Sequence, residues 1–219
     1  MHPRTKLVGF FAVLCLMLFS SCKISQQQAT TELRRAVLNN EIPKVRKYVR
    51  KGALVNHKDP KRGWSPLLYA AQAGHLEVAA VLLKNGADPG QTSDKDEVFP
   101  LQRAASNGYL ELVDLLVRNG ADVDQQDGRH RATAMMFASL NGHTEVVRYL
   151  IDHGALLNVR SNRGESALFI AVSAQQYEVV KLLLDQGANK HRPNIYGTTC
   201  LQKAKELQDE VLINVLIDK

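Results

Sequence analysis

A Gly-Ala dipeptide returns five times along this 219-residue chain. It stands at Gly52-Ala53, Gly86-Ala87, Gly120-Ala121, Gly154-Ala155 and Gly187-Ala188, at steps of 34, 34, 34 and 33 residues. A second series keeps the same beat: Ser65-Pro66-Leu67, Phe99-Pro100-Leu101, Thr133-Ala134-Met135, Ser166-Ala167-Leu168 and Thr199-Cys200-Leu201. A third is Gly74-His75, Gly108-Tyr109 and Gly142-His143. Three motifs in register over five units restrict the chain to a stacked array. A unit this thin cannot bury its own apolar stripe and must share a core with its neighbours.

Within each unit the residue types specify two short helices. Ser65, Thr133, Ser166 and Thr199 are placed to cap a first helix through a side-chain oxygen, and Pro66 and Pro100 suit its first position. Ala70-Ala71 and Ala104-Ala105 keep that helix thin enough for close stacking. Gly74, Gly108 and Gly142 fall where the helix ends and φ must turn positive. Second helices start near His75, Tyr109, His143 and Gln176. They carry Val78/Leu82, Leu112/Leu116, Val146/Leu150 and Val179/Leu183 on one stripe at helical spacing. These motifs, best preserved from Ser65 to Asp88, resemble the ankyrin repeat and its pattern TPLHxAAxxGHxEIVxxLLxxGADVN. The resemblance covers about Thr31 to the C-terminus. It implies an all-α solenoid of about six helix-turn-helix units with β-hairpin fingers, and a non-catalytic protein-binding module.

Several positions depart from the pattern. Gln175 and Gln208 replace the inter-helix glycine, at a cost of up to about 1–2 kcal/mol each if the left-handed geometry persists. Glu97 and Arg131 replace the hairpin glycine seen at Gly63, Gly164 and Gly197. The first three hairpins carry one residue more than the last two. Lys44 and Lys47 occupy places that are apolar in later units, as a polar N-terminal cap requires. At the other end Asn214, Asp218 and Lys219 are polar, but Val211 stands where an exposed Glu is usual, so this cap is the weaker one.

The first 22 residues read as a targeting segment. His2, Arg4 and Lys6 form a basic front, and Leu7–Phe19 is a nearly continuous apolar run of 13 residues. A bilayer core needs about 20, so the pattern is that of a secretory signal. Leu18-Phe19-Ser20-Ser21-Cys22 resembles a bacterial lipobox, although Leu is expected at the place of Phe19. The resemblance implies lipidation at Cys22 and anchoring by several acyl chains, where one chain would be marginal. Cleavage without lipid and retention as an uncleaved anchor stay open beside it. Lys23, rather than Asp, favours the outer membrane. Residues 23–30, with Gln26-Gln27-Gln28, read as a polar tether, and 31–219 as the repeat domain.

The net charge of +6 falls to +4 once Arg4 and Lys6 are discounted. That suits an acidic protein surface and is far short of a nucleic-acid-binding patch. Enzymatic signatures are missing. No nucleophile elbow, phosphate loop or HExxH is present. Cys15, Cys22 and Cys200 have no metal or redox spacing, and His57, His130, His153 and His191 fall in different units without ligand spacing. His75 and His143 fill the family's structural slot, where the imidazole bonds backbone in the loop. Cys200 reads as a packed, inert thiol. No metal, cofactor or small-molecule substrate is implied.

In ankyrin arrays the fingers and first helices line a concave groove. The helix positions that face it by resemblance are Tyr69, Arg103, Phe137, Ile170 and Lys203, with Gln72, Ser106, Leu140 and Ser173 next to them. Trp64, Tyr69 and Phe137 are the candidate aromatic anchors, although Trp64 has packing on the neighbouring finger as an equal alternative. Val98, His130 and Glu165 also lie on the fingers. Arg62, Arg129 and Arg163 belong to a basic finger edge, with Lys58, Lys61, Arg131, Arg160 and Arg192, that steers an acidic partner or is simply solvated. Glu145 with Arg148 and Glu178 with Lys181 read as solvated helix pairs. The expectation is a lipid-anchored module of a bacterial envelope, on the periplasmic face of the outer membrane or the cell surface. It holds another protein as scaffold, regulator or immunity-type inhibitor. Display towards a host is the rival reading.

Overall fold

The computed structural model describes residues 25–218. Residues 1–24, which hold the leader, Cys22 and Lys23, and Lys219 lie outside the described residues. Among the described residues twelve helices fall in six antiparallel pairs: α1 (25–38) and α2 (Ile42–Arg50), α3 (Pro66–Ala73) and α4 (Leu76–Lys84), α5 (Pro100–Ser106) and α6 (Leu110–Arg118), α7 (Ala134–Leu140) and α8 (Thr144–Asp152), α9 (Ala167–Ser173) and α10 (Tyr177–Asp185), α11 (Cys200–Glu206) and α12 (Glu210–Asp218).

The first helices begin where the hydroxyls predict. Ser65, Thr133, Ser166 and Thr199 each accept the N–H three residues on, and Gln202 closes a capping box with Thr199. Phe99 supplies no such bond to α5, which relies on Pro100 at its first turn. Every first helix from α3 on keeps a fully buried alanine at Ala70, Ala104, Ala138, Ala171 or Ala204. A larger side chain there would hold successive units apart. Odd-numbered helices from α3 onward therefore pack side by side as an inner layer, and even-numbered helices form an outer one. The stripe residues Val78, Leu82, Leu112, Leu116, Val146, Leu150, Val179 and Leu183 are all buried between the layers, in one core running from Ala29 to Leu216.

The inter-helix turn is left-handed throughout. Gly74, Gly108 and Gly142 have φ of 71°, 74° and 74°, and Asn40, Gln175 and Gln208 adopt 54°, 55° and 56° without being glycine. At Gly108 a Cβ would also lie 2.6 Å from the His143 ring. The structural histidines differ from expectation in their acceptor. A ring nitrogen of His75 lies 3.0 Å from the Val37 carbonyl, and one of His143 3.0 Å from that of Ser106. Gln176 Nε2 donates to Leu140 in the same way. These bonds reach the preceding unit's first helix, so the motif ties units together instead of closing its own loop.

The fingers are hairpin loops without a strand ladder; among the described residues no β-strand forms. Each is closed across its base by a main-chain N–H donated to a carbonyl: Asp59 to Trp64, Ser93 to Val98, Asp127 to Ala132, Ser161 to Glu165 and Asn194 to Thr198. The closing span shortens by one residue in the last two, as the sequence count requires. Glu97 and Arg131 take φ of 49° and 53° in place of the hairpin glycine.

The polar tether is corrected: residues 25–30 are helical. Gln26 Nε2 donates to the Gly52 carbonyl, and Thr30 Oγ1 accepts the Leu54 N–H. Ser25 to Gln28 are exposed, while Thr30 is buried against the chain that follows α2. The cap asymmetry holds, since Lys44 and Lys47 are exposed at one end while Val211 and Ile217 are 56% and 61% exposed at the other.

Candidate partner-binding surface

Each finger is organised by a short polar side chain at its base. Asp59 accepts N–H bonds from Lys61, Arg62 and Trp64 at 2.8, 2.9 and 3.0 Å, and the Tyr69 hydroxyl at 2.8 Å. Burial works against its charge. The bonds from Arg62, Trp64, Tyr69 and Lys61 outweigh that and hold the carboxyl below the usual carboxylate range. Asp127 accepts from His130, Ala132 and Gln102 Nε2. Ser93, Ser161 and Asn194 serve the remaining fingers. The five acceptors recur at the repeat period, a signal present in the sequence that motif reading passed over.

The finger frame places the eight candidate residues in three groups. Trp64, Tyr69, Arg62 and Arg103 form the first. Trp64 is only 8% exposed and packs with Leu68, Val98 and Tyr69, its ring centroid 5.1 Å from that of Tyr69. The guanidinium carbons of Arg62 and Arg103 stand 5.2 and 5.6 Å from the Trp64 ring centre, within cation–π range. Burial lowers the Arg103 pKa despite the opposing fields of Asp96 and Asp127, and its Nε finds no acceptor. Burial first, then the bond to Asp59, raises the Tyr69 pKa. Trp64 is thus a covered side chain sealing the first two fingers, rather than an open anchor, and Val98 is buried beside it.

Phe137, Leu140 and Arg163 form the second group. With Met136, Ile170, His130 and Glu165 they line a cavity of about 280 Å³ between the third and fourth fingers and helices α7 and α9. Leu140 is 45% exposed there, at a place held by Gln72, Ser106, Ser173 and Glu206 in other units. The backbone fixes the rim: Asn162 N–H donates to the His130 carbonyl and Ile195 N–H to that of Arg163.

Arg129 stands apart, 3.6 Å from Asp96 of the preceding finger. Lys58 pairs likewise with Asp94 at 2.7 Å. Arg160 donates to the Gly164 and Pro193 carbonyls. Much of the basic edge therefore tethers one finger to the next. Glu145–Arg148 and Glu178–Lys181 are exposed helix pairs, as expected.

The remaining polar candidates are structural in their surroundings. Cys200 is buried, and burial pushes its thiol up to about 12. Among the described residues no three His, Cys, Asp or Glu side chains are placed to hold a metal ion, and no helix is long and apolar enough to cross a membrane.

The family model for ankyrin repeats matches residues 33–127 and 101–194. The chain belongs to the ankyrin-repeat family. Ankyrin arrays are protein-interaction modules, and this chain is one by family. A human palmitoyltransferase, ZDHHC17, is 40% identical over 195 residues, which cover 87% of this chain and 30% of that protein. Human ankyrin repeat domain-containing protein 40 is 34% identical over 75 residues, 34% of this chain and 20% of that protein. Mouse 2-5A-dependent ribonuclease is 37% identical over 59 residues, 27% and 8% respectively. The chain thus spans less than a third of the relatives it matches, and the ankyrin similarity to two of them, named as enzymes, is partial.

Proposed function

We propose that this ankyrin array holds a partner protein in the cavity between its fourth and fifth units. The observation that carries the reading is Leu140, an apolar side chain left open beside Phe137 and Ile170 in a cavity where its inner-unit counterparts Gln72, Ser106 and Ser173 are polar. An apolar side chain of the partner would fill that floor, and Arg163 at the rim would pair with an acidic flank. Trp64, Tyr69, Arg62 and Arg103 support this surface by stiffening the neighbouring fingers. The protein is a binder and not a catalyst.

In this reading the array is lipid-anchored through Cys22 to a bacterial envelope, on the periplasmic face of the outer membrane or at the cell surface. It acts there as scaffold, regulator or immunity-type inhibitor. The basic front, the apolar run and the small residues before Cys22 support the anchor. A second reading, display towards a host protein, draws on the resemblance to animal ankyrin proteins.

A photocrosslinking residue at position 140 should trap one defined partner in intact cells, and the same residue at Arg148 on the outer layer should not. Equal trapping at both positions would refute the groove. Cys22→Ala should release the protein from membranes, whereas continued membrane association after normal processing would refute the lipid anchor. Protease treatment of intact cells separates the two readings, because a periplasmic array survives and a displayed one is cut.

A further inference from the structure

Charge is unevenly distributed along the array. Residues 25–51 carry seven basic side chains against two acidic ones, a net +5, whereas residues 52–219 carry 18 against 20, a net −2. The chain's excess positive charge beyond the leader thus lies in the first helix pair, with Lys23 beside it. The two local acids are already engaged: Glu32 lies 3.6 Å from Arg35, and Glu41 accepts from Lys44 at 2.8 Å. Lys44, Arg46, Lys47, Arg50 and Lys51 are all exposed. Apart from Pro43, the exposed positions of α2 are cations, so this helix projects no large aromatic or apolar anchor of the kind on which protein partners depend.

A second observation gives the basic face a receptor-like feature. Arg46 and Arg50 meet Lys84 of α4 around a cavity of about 440 Å³ on the outer layer, with Val49 and Val81 beneath and Glu77 as its one carboxylate. Three cations to one acid around a shallow depression suit a phosphodiester headgroup.

Position selects among anionic surfaces. Ser25, the first described helical residue, lies three positions after Cys22, a contour of about 10 Å at most in any conformation. That is close to the Debye length at physiological salt, about 8 Å. We infer that the basic first unit, with α2 and the depression it shares with α4, docks on an anionic phospholipid surface and lays the array at a set angle to it. The inference rests on the membrane attachment proposed above for its orientation, but not for its chemistry. Basic side chains beside a membrane-proximal segment are drawn to such a surface, each contributing a factor of about five in affinity.

The test uses residues 23–219, which contain the whole core from Ala29 to Leu216 and lack the apolar leader. This protein should sediment with phosphatidylcholine vesicles containing about a third phosphatidylglycerol, not with pure phosphatidylcholine vesicles, and should be released at about 0.5 M salt. Combined Arg46→Gln, Lys47→Gln, Arg50→Gln and Lys51→Gln should weaken binding several hundredfold, at about fivefold per cation, with unchanged circular dichroism. The same charge removed from distant units, through Lys95→Gln, Arg148→Gln, Arg192→Gln and Lys205→Gln, should change it little. Equal losses from both variants, equal binding to neutral vesicles, or retention on polyglutamate without vesicle binding would each overturn the inference. Cys22→Ala reports on the lipid anchor alone, so the two failures are distinguishable.

Discussion

Replacing Trp64 with Ala separates a structural tryptophan from a binding one. The side chain is 8% exposed and packs against Leu68, Val98 and Tyr69. Truncating a large buried aromatic costs about 3–5 kcal/mol, depending on how far the site collapses. A finger loop relaxes more readily than a helical core, which places Trp64→Ala near the lower end of that range. The cation–π contacts of Arg62 and Arg103 add about 0.5–1 kcal/mol each at an accessible site. Their loss is already part of the truncation cost. The expected destabilisation is therefore about 3 kcal/mol. Urea unfolding followed by circular dichroism at 222 nm measures it, because Trp64 is the only tryptophan and its fluorescence disappears in the variant. In the parent protein that same fluorescence reports the first two fingers alone. A loss below about 1 kcal/mol together with abolished partner capture would refute the reasoning and return Trp64 to the binding surface.

Gln208→Gly should stabilise the array by about 1 kcal/mol in the same urea assay by relieving a left-handed non-glycine residue. Gln175→Gly should gain less, since Gln175 Nε2 donates to Asp209 at 2.8 Å; equal gains would show that this bond contributes nothing. Gly108→Ala should cost more than 1–2 kcal/mol or so, because strain at φ 74° adds to the approach of the His143 ring. A neutral outcome would mean that the turn is free to relax. Asp59 has a depressed folded pKa, so its contribution is complete above the ordinary carboxylate value of about 3.9 and disappears as pH falls through the lower folded value. The stability gap between the parent and Asp59→Asn should accordingly narrow between neutral pH and about pH 3, and a constant gap would argue against a charged Asp59. Cys200, the only cysteine in residues 23–219, should react with iodoacetamide only after unfolding; rapid labelling of the folded protein would contradict its burial.

The repeat phase, the helix starts and the buried stripe were legible because each depends on residues close in sequence. A hydroxyl caps the N–H three residues on, and valine and leucine at i and i+4 share a face, whatever the rest of the chain does. Trp64 was legible only as a choice between two states, since one of its covering cations, Arg103, comes from the next unit. Gln26 and Thr30 misled for a related reason. Their polarity is that of a tether, and their role appears only once Gly52 and Leu54 are seen to bond them. Leu140 was recognisable as a groove position, but its openness depends on Ile170 and Arg163 across the unit boundary. The finger-base acceptors are the reverse case. Asp59, Ser93, Asp127, Ser161 and Asn194 are in plain register, and their chemical variety hides them from a search for one repeated residue type.

The unequal ends give the array a direction of unravelling. In a solenoid each unit is held only by its neighbours, and the last one has a neighbour on one side among the described residues. It also contains Gln208 in a strained turn and leaves Val211 and Ile217 facing water. Local opening should therefore begin at α12 and travel inward, with amide exchange fastest there and slowing towards α7. The groove beside Leu140 lies far enough from that frayed end to keep its shape while the terminal unit breathes.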